Sequence, residues 1–132
     1  MKFHPNELFL YFDPSTTTGK QTRAIAHSLS THVNEMDYRK VKLTTTIWKD
    51  MLDQLHLHPK KLLNKAHPEY QAKIRGNAFD DEGWLNVLMK NPQLIKGPIA
   101  IRNDQAVLCV KPSDILKLEP AEKQIKNRFT SL

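Results

Sequence analysis

The residues best suited to chemistry lie in Ser15-Thr16-Thr17-Thr18-Gly19-Lys20, where hydroxyls and an ammonium group follow the turn-forming pair Asp13-Pro14. Hydroxyls, a lysine and the free amides of a helix N-terminus suit a phosphate, sulfate or carboxylate, so Ser15, Thr16, Thr17, Thr18 and Lys20 are anion-binding candidates. The same threonines could equally cap a helix. The loop is not a P-loop: counting back from Gly19-Lys20, the first glycine of that motif is Pro14, and Gln21 replaces its Ser or Thr. The lone thiol, Cys109, falls in the apolar run Ala106 to Val110. Burial there would raise its pKa and make it inert, a structural core cysteine rather than a redox centre. His56, His58 and His67 lie near one another in sequence, but beside Pro59 and with no Cys or clear carboxylate to complete a set, they predict no metal site.

These residues must be positioned by regular elements. Leu8 to Phe12, apolar and aromatic, reads as a strand buried on both faces and central in a sheet. After the threonine turn, Ala24, Ile25, Ala26 and Leu29 form a short stripe that fits a helix over Gln21 to His32. Val33 to Arg39 carries weaker strand signals, giving a βαβ unit with a right-handed crossover. Thr44-Thr45-Thr46 offers an N-cap for a helix carrying Ile47, Trp48, Met51, Leu52 and Leu55. A second helix is expected from about Pro59 through Leu62, Leu63 and Ala66. A third begins after Asp80-Asp81, buries Trp84, Leu85, Val87 and Leu88, and stops before Pro92. Ile99 to Ile101 and Ala106 to Val110, joined across Asn103-Asp104, read as an antiparallel hairpin. Ser113-Asp114 opens a last helix on Ile115, Leu116 and Leu118. The division is a βαβ unit over 1–43, a helical insertion over 44–94, a hairpin and helix over 95–118, and a charged tail over 119–132. This is the order of an α/β, thioredoxin-like (glutaredoxin-like) fold with a mixed four-stranded sheet and a helical insertion between its halves.

Composition narrows the class. At 132 residues with 39% hydrophobic side chains, the chain can build one core without disulfides or a structural metal. A single Cys excludes an internal disulfide and a CxxC pair. No apolar run approaches the roughly 20 residues of a membrane helix and no signal-peptide pattern follows Met1, so a cytoplasmic, membrane-free location is expected. The net charge of +6 is spread over helices, at Lys60, Lys61, Lys65, Lys123, Lys126 and Arg128 among others. Without interleaved aromatics or a dense basic stripe, it predicts no direct nucleic-acid binding.

Several segments together resemble the arsenate reductase family. They are Lys61-Leu62-Leu63-Asn64-Lys65 with Pro68-Glu69-Tyr70, Phe79-Asp80-Asp81, the run Asn91 to Ile99, Leu108-Cys109, and Pro112-Ser113-Asp114. Tyr11-Phe12-Asp13-Pro14 is similar to the strand end that precedes that family's reactive thiol. The resemblance implies a cis peptide before Pro98, facing the thiol loop, which adds Pro98 to the anion-binding candidates. It also implies a cysteine nucleophile where this chain has Thr16, and oxyanion-binding arginines where it has Asn64, Gly97, and Val110 or Lys111. A threonine there has no adjacent base and cannot cycle through a mixed disulfide with glutathione. Losing the nucleophile and at least two arginines removes attack and charge stabilisation together. The resemblance therefore implies a member without arsenate reductase activity and with no cofactor, acting as a binding or regulatory protein. A protein partner is expected, RNA polymerase by analogy with the Spx-type regulators of the same family, with weak oxyanion or glutathione binding at the loop. The alternative is a glutathione-dependent or oxyanion-processing enzyme that uses the Ser15 to Lys20 loop.

Overall fold

The computed structural model describes residues 7–118; the charged tail expected over 119–132 lies outside them. Strand β1 (Glu7–Phe12) is central, because Leu8 through Phe12 carry apolar groups to both faces and are almost fully buried. It runs parallel to β2 (His32–Asp37) and antiparallel to β3 (Ile99–Arg102), which pairs antiparallel with β4 (Gln105–Leu108). The order β2-β1-β3-β4 is the expected mixed four-stranded sheet.

Alternation along the strands divides the core into two layers. Phe9, Tyr11, Ile99 and Ile101 face α2 (Thr45–Leu55), the short α3 (Pro59–Leu62) and α4 (Pro68–Lys73), and α5 (Asp81–Lys90). Leu8, Leu10, Phe12 and Ala100 face α1 (Thr17–Leu29) and a 3₁₀ helix over Pro112–Leu118. Threonine and aspartate caps set three helix starts: Thr16 accepts from Gly19 N–H, Thr44 from Ile47 N–H and Asp80 from Gly83 N–H. No helix among the described residues is long and apolar enough to cross a membrane.

Several expectations need correction. Helix α1 starts at Thr17 rather than Gln21, because the Thr16 cap lets the threonines themselves form the first turn. The helix from Pro59 stops at Leu62: Leu63 leaves it to bridge antiparallel to Ile95, and Ala66 is exposed. The last helix is 3₁₀ and exposes Leu116. Strand β4 ends at Leu108, and its Ala106, Val107 and Leu108 are only half-buried because it is an edge strand. No peptide bond among the described residues is cis, so Gly97–Pro98 is trans. Trans is the favoured isomer of any X-Pro bond unless packing selects cis. The Cys109 N–H donates to the Pro98 carbonyl at 2.7 Å.

Candidate functional site

The C-terminal end of β1 delivers the chain into the threonine loop through a tightly bonded turn. Asp13 Oδ1 accepts hydrogen bonds from Ser15 N–H at 2.9 Å and Ser15 Oγ at 2.7 Å, the aspartate-led turn that the Asp-Pro pair favours. Thr16 Oγ1 donates to the Asp13 carbonyl at 2.9 Å and accepts from Gly19 N–H at 2.9 Å. The hydroxyl at the resemblance's nucleophile position is thus committed in both directions. Gly19 is required at its place, since a Cβ there would overlap the Asp13 carbonyl oxygen.

Thr16, Thr18, Gly97 and Pro98 come together around a pocket of about 140 Å³, with Asp13, Tyr38, Gln93, Ile95 and Lys96 completing it. Ser15, Thr17 and Lys20 are exposed outside that lining, and so is Asn64, whose N–H donates to Leu94 O at 2.7 Å and whose Oδ1 accepts from Ala66 N–H at 3.1 Å. Neither Val110 nor Lys111 reaches the pocket. Gly97 cannot give way to the arginine that the resemblance implies: a Cβ at this position would overlap the Cys109 carbonyl oxygen, so the backbone admits no side chain. The Gly97 carbonyl accepts a short hydrogen bond from the Tyr38 hydroxyl instead. Tyr38 is nearly fully buried, and burial holds its phenol well above the ordinary value, as a neutral donor.

Sequence reasoning did not single out Tyr38, Gln93 or Lys96. Tyr38 follows a weak edge strand and gave only a strand signal, and Gln93 and Lys96 reach the pocket through the 3₁₀ turn Pro92–Leu94, which shows only in three dimensions. Asp13, Tyr38 and Gln93 also line a larger cleft of about 620 Å³ next to the pocket. Cys109 is on neither: it is fully buried, and burial, helped by the Asp114 charge, pushes its thiol up to about 12. The histidines serve helix ends. His58 Nδ1 accepts from Lys60 N–H at 3.2 Å and His67 Nδ1 from Glu69 N–H at 3.1 Å, while His56 closes α2 with a left-handed φ of 55°. Among the described residues no group of His, Cys, Asp and Glu is arranged to hold a metal ion.

A β-α-β unit and a β-β-helix unit in one mixed sheet, with the candidate pocket between the β1–α1 loop and the entry to β3, define a thioredoxin-like protein. The ArsC family model matches residues 11–118, and the chain belongs to the ArsC family. The fold is similar to that of the arsenate reductase from Vibrio cholerae, with a TM-score of 0.78 at 19% identity over 87% of this chain and 99% of that one. It is also similar to an arsenate reductase (ArsC) related protein from Brucella melitensis, with a TM-score of 0.63 at 19% identity over 85% of this chain and 93% of that one. No curated protein matches the sequence.

Proposed function

We propose that this chain is a non-catalytic ArsC-family protein that works by binding. The observation that carries this reading is the state of Thr16: its hydroxyl caps α1 and bonds back to Asp13, where thiol chemistry needs a free, ionisable sulfur. Gly97 supports it, because the backbone leaves no room for an oxyanion-binding side chain there. So does the depth of Cys109, which keeps the protein's one thiol protonated and out of reach. The test is arsenate reduction with glutathione and glutaredoxin, followed by NADPH oxidation in the presence of glutathione reductase. The wild-type rate should equal the enzyme-free blank. Turnover above the blank that Thr16→Ala or Lys20→Ala abolishes would establish an enzyme instead.

A further inference from the structure

We propose that the helical insertion is a proton-sensitive latch on one wall of the candidate pocket, closed only while the imidazoles of His58 and His67 are unprotonated at Nδ1. The wall is the stretch from Gln93 to Lys96, of which Gln93, Ile95 and Lys96 line the pocket. The segment from His58 to Glu69 backs it. Lys96 N–H donates to Leu62 O at 2.8 Å, Asn64 N–H donates to Leu94 O at 2.7 Å, and Leu63 bridges antiparallel to Ile95. Gln93 Nε2 donates to Glu69 Oε2 at 2.8 Å. What holds this backing segment therefore also holds the wall.

The segment is built on α3 and the start of α4, helices too short to stand without their caps and their packing. Each starts on a histidine. His58 Nδ1 accepts from Lys60 N–H and His67 Nδ1 from Glu69 N–H, so in both rings this nitrogen carries a lone pair and the hydrogen sits on Nε2. A protonated imidazole has a hydrogen on both nitrogens and accepts nothing, and its charge would face the positive end of the helix. Acidification thus removes both caps at once. The other charged groups do not reverse this. At His58, Nε2 lies 2.8 Å from Asp81 Oδ1, but that carboxylate is almost fully exposed, so the extra attraction on protonation is screened. Lys49, Asp53 and Glu82 line the same surface as His58, with Lys49 paired to Glu82 at 3.3 Å, and Lys60 sits over the Trp84 ring. His67 has Lys65 and Glu69 beside it in sequence, and no carboxylate lies within ion-pair distance of it among the described residues. His58 is exposed and His67 half-buried, so both are open to protons from solvent.

The sign follows from the acceptor role: the caps are made above the range in which an imidazole ordinarily titrates, about pH 6.5, and are lost as pH falls through it. Amide hydrogen exchange is measured residue by residue by NMR on the full chain at about pH 7.5 and about pH 5.5, each rate divided by its intrinsic value at that pH. Opening at Asn64 and Lys96, the amides bonded between segment and wall, should rise about fivefold or more at the lower pH relative to Leu10 in the central strand. The His58→Asn, His67→Asn double variant keeps an acceptor at each cap but cannot titrate, and should open equally at both pH values. Imidazole ¹⁵N shifts of the wild type, which need no variant, should place the hydrogen on Nε2 in both rings at about pH 7.5. The proposal is overturned if Asn64 and Lys96 open no more than Leu10 on acidification, if the rise persists in the double variant, or if either ring carries its hydrogen on Nδ1. Arsenate turnover would sink the non-catalytic reading without touching this one.

Discussion

At the scale of single residues, Thr16 does for structure what its counterpart position does for chemistry in the family resemblance. Its side chain satisfies one of the orphan amides of α1 and ties the helix start to the end of β1. Replacing it with alanine removes a cap of the kind worth about 1 kcal/mol, within a range of about 0.5–2. Thr16→Ala should therefore lower the urea midpoint without changing the slope of the transition. Cys109 gives the complementary prediction. Since the thiol is fully buried and pushed up to about 12, native protein at pH 8 should react with a thiol reagent only as fast as it unfolds, and urea should expose it at once. Fast labelling of the native state would contradict the packing described here. Both residues were legible in the sequence, Thr16 from its place after Asp-Pro and Cys109 from its apolar run. The isomer of Gly97–Pro98 was not. The family pattern pointed to cis, but the contacts that select an isomer are tertiary and do not show in a linear sequence, and the bond is trans.

At the scale of elements, legibility followed the strength of the local signal. Strand β1, α2 and α5 announce themselves through burial on both faces, helical spacing and conventional caps. The helix at Pro59 was overextended and α4 was missed, because both are a turn or so long and use histidine rings as caps, a side chain with no strong capping signature. Arg102 was missed for another reason: a cation in a hairpin reads as solvent-facing. In the fold it is buried, donating from Nη1 to Leu118 O at 3.2 Å and from Nη2 to Leu29 O at 3.1 Å. One planar fork thereby ties the C-terminal end of α1, where the helix dipole favours a cation, to the end of the 3₁₀ helix. Hydrogen bonds to a charged group contribute about 1.5–3 kcal/mol each, offset here by the cost of burying the guanidinium, whose Nε has no partner among the described residues. Arg102→Ala should destabilise by about 2–3 kcal/mol in urea unfolding. Arg102→Lys should recover little of this, because a single ammonium lacks the fork that reaches both carbonyls. Full recovery by lysine would show that charge alone, and not the clamp, matters.

At the scale of the whole molecule, three weak acids are locked inside the fold in their neutral forms, and this ties global stability to alkaline pH. Burial raises Tyr11 from an ordinary value of 10.0 to about 12, with the Asp37 charge adding to it. Burial likewise lifts Cys109 from 9.0 to about 12 and Tyr38 well above 10.0. Each group's folded pKa lies above its unfolded value, so between the two the native state holds a proton that the unfolded chain has released. Stability from these groups is therefore fully present below pH 9 and is lost as pH rises toward 12. Once a group is ionised in the unfolded chain, it costs about 1.4 kcal/mol per pH unit until its folded pKa is reached. The onset is divisible, since the cysteine begins to titrate in the unfolded chain a unit before the tyrosines. Unfolding free energies from urea transitions should thus start to fall near pH 9 in the wild type. In Cys109→Ala they should stay level up to about pH 10, from a lower starting stability because of the lost core contact, and then fall with the tyrosines. A wild-type profile flat from pH 8 to pH 11 would mean that these groups are ionising in the folded state, which the burial of all three side chains forbids.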